Sequence, residues 1–251
     1  MKKTLGGFGF IREGVKYDYC FEQSIISLCE CCDKVVFVMV MAPADKTLDK
    51  LLALVKYTNF DFICLPSEIW TKMHGKEKIA KIQNIATMLL DTDYQFLLQG
   101  DEVIHPDSYG AIREAMETDG NGFLCERVNL WGSPNTKLVV PQERQPCSIY
   151  VNRLTKRQFW CYDDGESIAS PTVLDFANRI KIIHYGFVRK REVMKAKIIN
   201  MQEGVFAMGH HDPKLDGTDI FDPTLWFSGD DLAPIDFEHP TIMKKWVEER
   251  M

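Results

Sequence analysis

Tyr94-Gln95-Phe96-Leu97-Leu98-Gln99-Gly100-Asp101-Glu102-Val103-Ile104-His105 is a mostly apolar run that stops at a glycine and then delivers two carboxylates. Residues 94–98 read as a buried strand. Ligands of open α/β sheets bind outside the carboxyl ends of the strands, so Asp101 and Glu102 fall where a ligand is expected. A pair of hard oxygen donors there suits a divalent metal holding a diphosphate. Gly100 permits unusual backbone angles beside them, and His105 follows within reach.

Upstream of this stretch, strand-like and helix-like patterns alternate. Residues 4–11 read as a first strand. Phe21, Ile25, Leu28 and Cys32 then recur at helical spacing, with Asp18 as the expected cap. Residues 34–41 form the near-continuous apolar run of a strand buried on both faces, and Pro43 stops it. Thr47 is the expected cap of the next helix, with Leu48, Leu51, Leu52 and Val55 inward. Residues 60–65 are a third strand. Residues 77–90 are a helix with Ile79, Ile82, Ile85, Ala86 and Leu89 as its buried stripe. After the fourth strand, Pro106 stands at a first helical position, with Tyr109, Ile112 and Met116 inward. This alternation predicts an α/β fold, a mostly parallel central sheet flanked by helices. Beyond residue 120 the pattern changes: strands, the loop Trp131-Gly132-Ser133-Pro134-Asn135-Thr136, a mainly β and irregular stretch to 183, and a basic helix over 189–203. The last forty residues, rich in Asp, Pro and Gly, are expected to wrap the surface before a short helix at 241–250. No linker interrupts the chain, so one domain over 1–251 is expected.

Composition narrows the class. The chain has 251 residues, 45% hydrophobic and 26% charged, as ordinary soluble globular proteins do. A net charge of −6 argues against a dedicated nucleic-acid binder with its basic footprint. The longest apolar run, 35–42, falls far short of the ~20 residues of a membrane span. The N-terminus lacks the apolar core of a signal peptide, so a cytoplasmic location is expected. The eight cysteines are then expected as reduced thiols. Cys29, Cys31 and Cys32 have no second pair at zinc spacing and read as buried helix-end thiols. Gly6-Gly7-Phe8-Gly9 is no dinucleotide fingerprint, because Arg12 stands where the third glycine belongs and the glycines lie within a strand. They allow close approach of a ligand or a neighbouring backbone. His210-His211-Asp212 reads as loop.

Several blocks occur in a telling order: Phe10-Ile11-Arg12, Lys16-Tyr17-Asp18-Tyr19, the run from Gln99 to His105, Trp131-Gly132-Ser133, His184-Tyr185-Gly186-Phe187-Val188 and His239-Pro240. On them the chain resembles, over nearly all its length, the family 2-like glycosyltransferases with the GT-A (nucleotide-diphospho-sugar transferase) fold, and within these a bacterial and phage subgroup. The resemblance implies a nucleoside-diphosphate sugar donor, UDP-sugar by default, bound by residues 1–120. Residues 121–251 would form a mixed acceptor-side half and the C-terminal wrap. It also implies a divalent metal, Mn²⁺ or Mg²⁺, and transfer with inversion.

The usual metal motif is Asp-x-Asp. Gln99 stands at its first acid, so Asp101 is the matching ligand, Gln99 is left to bond ribose or sugar hydroxyls, and Glu102 helps directly or through water. The resemblance further implies that His184 completes the metal site. Asp45 would contact the nucleoside, or simply hold the turn before a helix. Phe10 and Arg12 would wall the nucleotide pocket. Lys81 and Asn84 would face the donor from the helix at 77–90, unless that face is merely solvated. An inverting transferase needs a general base, expected in Tyr162-Asp163-Asp164-Gly165-Glu166, with Asp164 first, Asp163 beside it and Glu143 in reserve. Arg189, Lys190, Arg191, Lys195 and Lys197 would neutralise phosphate on the donor or contact an anionic acceptor, or form a solvated face.

Two rivals stand. A nucleotidyltransferase would use Arg12-Glu13-Gly14-Val15-Lys16 as a triphosphate loop, of which it is a poor version. A non-catalytic nucleotide-sugar-binding module is favoured by Gln99 in place of an acid. A glycan, a lipid-linked sugar, a protein side chain or a modified nucleobase would all serve as acceptor.

Overall fold

The computed structural model describes residues 2–73, 75–202, 227 and 229–251. Its first half runs β1 (Leu5–Arg12), α1 (Phe21–Cys31), β2 (Lys34–Val40), α2 (Thr47–Leu54), β3 (Phe60–Leu65), α3 (Ser67–Lys72), α4 (Glu77–Thr87), β4 (Tyr94–Leu97), β5 (Glu102–Ile104) and α5 (Ser108–Met116). The second half contributes β6 (Gly122–Trp131), β7 (Thr136–Leu138), β8 (Tyr150–Lys156), β9 (Cys161–Tyr162), β10 (Ser167–Ile168), β11 (Val173–Asp175), β12 (Lys181–Phe187), α6 (Arg191–Asn200), β13 (Leu232–Pro234) and α7 (Lys244–Glu248).

The central sheet runs β13-β7-β6-β8-β4-β1-β2-β3. Strands β4, β1, β2 and β3 are mutually parallel, as the β-α alternation requires. β8 is antiparallel to both β4 and β6, so the two expected halves share one sheet. β12 lies parallel to β6 and antiparallel to β5.

Period-two alternation along β2 explains the layering. Val35, Phe37 and Met39 pack with α1, α2 and α5 residues in one cluster. Val36, Val38 and Val40 pack with Trp70, Ile82 and Ala86 of α3 and α4 on the other face. Phe37 is completely buried; truncating such a side chain to alanine costs ~3–5 kcal/mol. In β1, a Cβ on Gly9 would sit 2.3 Å from the Leu98 carbonyl oxygen. That glycine serves close backbone approach between β1 and the end of β4.

Local expectations shift in places. Asp18 does not cap α1, which starts after Cys20. Asp18 instead lies in the left-handed region at φ 51° and accepts from Arg250 Nε at 3.2 Å. Thr47 is the first residue of α2 rather than its cap, and its hydroxyl bonds Asp45. Leu52, Val55 and Leu89 are exposed, while Leu51 and Leu54 carry the buried face of α2. All eight cysteines are free, with Cys31 and Cys32 buried. The run His210-His211-Asp212 lies outside the described residues. Among the described residues, no helix is long and apolar enough to cross a membrane.

Candidate active site

A cavity of about 760 Å³ opens at the carboxyl ends of β1 and β4. The first half lines it with Phe10, Arg12, Gln99 and Asp101, and the second half with Asp164, Glu166, His184 and Lys197.

The two carboxylates that decide the fold part company here. Asp101 faces the cavity and is 5% exposed. Glu102 turns the other way into the protein, fully buried, and accepts from Arg127 at 3.2 Å, Arg153 at 2.7 Å and the Gln99 amide at 2.9 Å. With Glu102 enclosed by two arginines and Asp101 on the cavity wall, the two do not face one ligand, and the assisting role expected of Glu102 does not hold. His105 is likewise directed elsewhere, to the Glu238 carbonyl at 3.2 Å and the Phe237 ring.

β5 pairs with β12 so that His184 stands opposite Glu102, and the Tyr185 amide donates to the Asp101 carbonyl at 2.8 Å. This pairing brings His184 Nε2 to 3.7 Å from Asp101 Oδ2. His184 Nδ1 meets Asn129 Oδ1 at 2.8 Å. The Asn129 amide nitrogen donates to the Cys147 carbonyl at 3.2 Å and to Gln145 at 3.1 Å, so its oxygen must be the acceptor. Nδ1 therefore carries a proton, and Nε2 is the ring nitrogen that faces Asp101. Burial lowers the His184 pKa against the opposing pull of Asp101. Gly186 makes the approach possible: a Cβ there would lie 2.1 Å from His184 Nε2 and 2.9 Å from Asp101 Oδ2.

Two cations complete the cluster. Arg189 donates to Asp101 Oδ2 at 2.9 Å, and its guanidinium lies 4.2 Å from the centre of the Tyr19 ring. Lys197 Nζ lies 2.9 Å from the same oxygen and 3.1 Å from the Gly186 carbonyl. Burial alone would raise the Asp101 pKa; the surrounding positive charge, Lys197 first, outweighs it and holds the carboxyl well below its usual range.

Asp101 and His184 thus meet as the expected metal pair. The donor set as it stands does not fit a divalent ion, however, because Asp101 Oδ2 already faces two buried cations. Among the described residues, no group of three or more His, Cys, Asp or Glu side chains is placed to hold one.

Asp164 lines the cavity, and its carboxyl is pushed up by burial and by neighbouring Glu166. Asp163 does not line it: at φ 54° it points outward and pairs with Lys76 at 2.7 Å. Glu143 is exposed and also off the cavity wall. Glu166, expected among the base candidates of this turn as a group, lines the cavity and bonds Arg127 at 3.2 Å. Asn84 holds this turn in place instead of facing the donor, giving and receiving bonds with the Cys161 backbone at 3.0 and 2.8 Å. Lys81 is exposed and pairs with Glu77 one turn back, at 3.1 Å. Asp45 bonds the Lys16 amide at 3.2 Å and Thr47, tying two loops together off the cavity. Phe10 stacks on Trp70, with ring centres 6.2 Å apart, and the Arg12 guanidinium lies 5.0 Å from the same ring. Trp70 belongs to α3, a helix too short for periodicity to announce.

No family model matches the sequence, and no curated protein matches it. Solved structures do share its architecture. Residues 1–349 of S. aureus TarS match with a TM-score of 0.50 at 11% identity, over 80% of this chain and 66% of that one. The chain thus spans just under two thirds of that fragment. The same fragment in complex with UDP-GlcNAc matches at 0.49 and 12%, over 80% and 67%. The inositol-1-phosphate CTP transferase from T. maritima matches at 0.42 and 14%, over 82% and 98%. The likeness to TarS is one of fold: a mixed α/β sheet flanked by helices.

Proposed function

We propose that this chain is a glycosyltransferase that moves a sugar from a nucleoside-diphosphate sugar, by default a UDP-sugar, to a hydroxyl acceptor with inversion. The observation that carries this reading is the cavity itself. At the ligand-binding edge of the sheet it joins a positively charged cluster around Asp101 to a carboxyl, Asp164, contributed by the other half of the chain. The fold shared with TarS, a protein crystallised with UDP-GlcNAc, supports the donor class.

In this reading Phe10 and Arg12 wall the nucleoside end. Gln99 stands at the cavity wall within reach of donor hydroxyls. Asp164, with its raised pKa, takes the acceptor proton as the new bond forms. The positive cluster stabilises the charge that develops on the departing diphosphate, the term that usually dominates such catalysis.

The nucleotidyltransferase rival is less well supported. In the loop after β1, Lys16 pairs with Glu13 and does not line the cavity, so that loop brings only Arg12 to the ligand-binding edge. The test is a thermal-shift panel of UDP, ADP, GDP, CDP and dTDP with their sugar conjugates, followed by donor hydrolysis assays. Binding at a hundred times Kd stabilises by about 2.7 kcal/mol, so one nucleoside series should raise the melting temperature clearly. Release of nucleoside diphosphate from its sugar conjugate is expected. Pyrophosphate release from a nucleoside triphosphate would replace this reading with the rival, and no shift with any compound would remove it.

A further inference from the structure

We infer that Lys197, not a divalent metal, supplies the positive charge that holds the donor's diphosphate, with Arg189 and Asp101 positioning it. The inference rests on the donor reading above and concerns the same cavity.

The argument begins with charge. A carboxylate with a divalent ion carries a net charge of about +1. Asp101 with Arg189 and Lys197 carries the same net charge, supplied by side chains alone. A divalent ion added to this cluster would bring it to about +3 inside a buried site, where like charges repel far more than in water. At Asp101 Oδ2 the ion would meet the two cations already bound there.

Geometry points the same way. Lys197 is 5% exposed, yet its side chain lines the cavity. An ammonium has three donors; among the described residues two are accounted for, by Asp101 Oδ2 at 2.9 Å and the Gly186 carbonyl at 3.1 Å. Arg189 is fixed more completely: its three nitrogens reach the Gly186 carbonyl, the Tyr17 carbonyl and Asp101, and it does not line the cavity. Arg189 therefore acts through Asp101, and Lys197 is the cation a diphosphate would meet. Burial and Arg189 lower the Lys197 pKa against the pull of Asp101.

The experiment is isothermal titration of the full chain with UDP, ADP, GDP, CDP and dTDP, each in EDTA and again in Mn²⁺, with Lys197→Gln and Lys197→Arg alongside. The inference expects one diphosphate to bind in EDTA within about threefold of its affinity in Mn²⁺. Lys197→Gln should weaken it on the order of 10- to 100-fold, the range of a hydrogen bond to a charged group, and Lys197→Arg should recover part of the loss. Binding that appears only with Mn²⁺ overturns the inference and leaves the donor reading standing. So does wild-type affinity in Lys197→Gln. Absence of binding in both conditions overturns the donor reading and this inference with it. The comparison of EDTA with Mn²⁺ uses the unaltered protein, so it decides the matter even where Lys197→Gln fails to fold.

Discussion

Lys197 Nζ and Asp101 Oδ2 lie 2.9 Å apart across 96 residues of sequence, both side chains almost wholly buried. The pair, with Arg189 on the same oxygen, joins α6 to the start of β5 and makes two buried cations depend on one carboxylate.

Replacing Asp101 by Asn keeps the shape and removes the charge that two buried cations need. Breaking such a pair from one side costs about 3–5 kcal/mol, to be read as a fall in the urea midpoint. Adding Lys197→Met to Asp101→Asn should recover part of this loss, because the uncompensated ammonium is then gone. A strictly additive double variant would show that the two residues do not interact.

Gly186→Ala tests the close approach of β12 to the site. The new Cβ would stand 2.1 Å from His184 Nε2, forcing the imidazole off Asn129. Overpacking of this kind costs about 1–3 kcal/mol. Donor turnover should fall along with the melting temperature, whereas full activity at a wild-type melting temperature would place the reacting groups elsewhere.

The acidic turn separates two neighbouring carboxyls. Asp164→Asn should lower transfer by roughly 10²–10⁴-fold, the usual worth of a general base, with little change in donor affinity. Asp163→Asn should change neither, since Asp163 faces Lys76 on the outside. The Asp164 pKa is raised, so the acid limb of kcat should lie above the ordinary aspartate value of ~3.9. A limb at or below that value would point to another base.

Glu166 makes a prediction about stability and pH. Burial raises its pKa, but Arg127 and Arg153 outweigh burial and leave it lowered. The folded state then binds fewer protons than the unfolded one. Its stabilising contribution is full above the unfolded value of ~4.3 and disappears as pH falls through the folded value. Denaturant midpoints measured from pH 6 down to pH 3 should fall more steeply for the wild type than for Glu166→Gln.

Lys81 and Asn84 lie three residues apart on α4 but should behave differently. Lys81→Ala removes an exposed pair with Glu77, worth about 0–1 kcal/mol, and should leave donor affinity unchanged. Asn84→Ala frees the Cys161 backbone that it clamps, and should lower transfer by loosening the turn that carries Asp164. Donor titrations and rate measurements on the two variants check this directly.

Sequence by itself determined the elements and the edge at which the site would form. Period-two and helical repeats, the glycine before Asp101 and the alternation of strands with helices are local signals, and they placed β1 to β4, α1 and α4 along the chain. The same local signals made Asp101 and Glu102 look like partners, because they adjoin in sequence. Only the tertiary structure decided that they diverge, since Glu102 answers to Arg127 and Arg153, which arrive on β6 and β8. Lys81, Asn84 and Asp45 read as donor contacts from their place on the right elements. Which way each side chain faces was set by partners far along the chain or by one helical turn of rotation. Lys197 was legible as one of several basic residues on a helix. Its burial against Asp101 depends on β12 carrying Gly186 to the cavity and turning the chain back. The chemistry of a site is a matter of distances between residues remote in sequence, and those distances exist only once the sheet has closed.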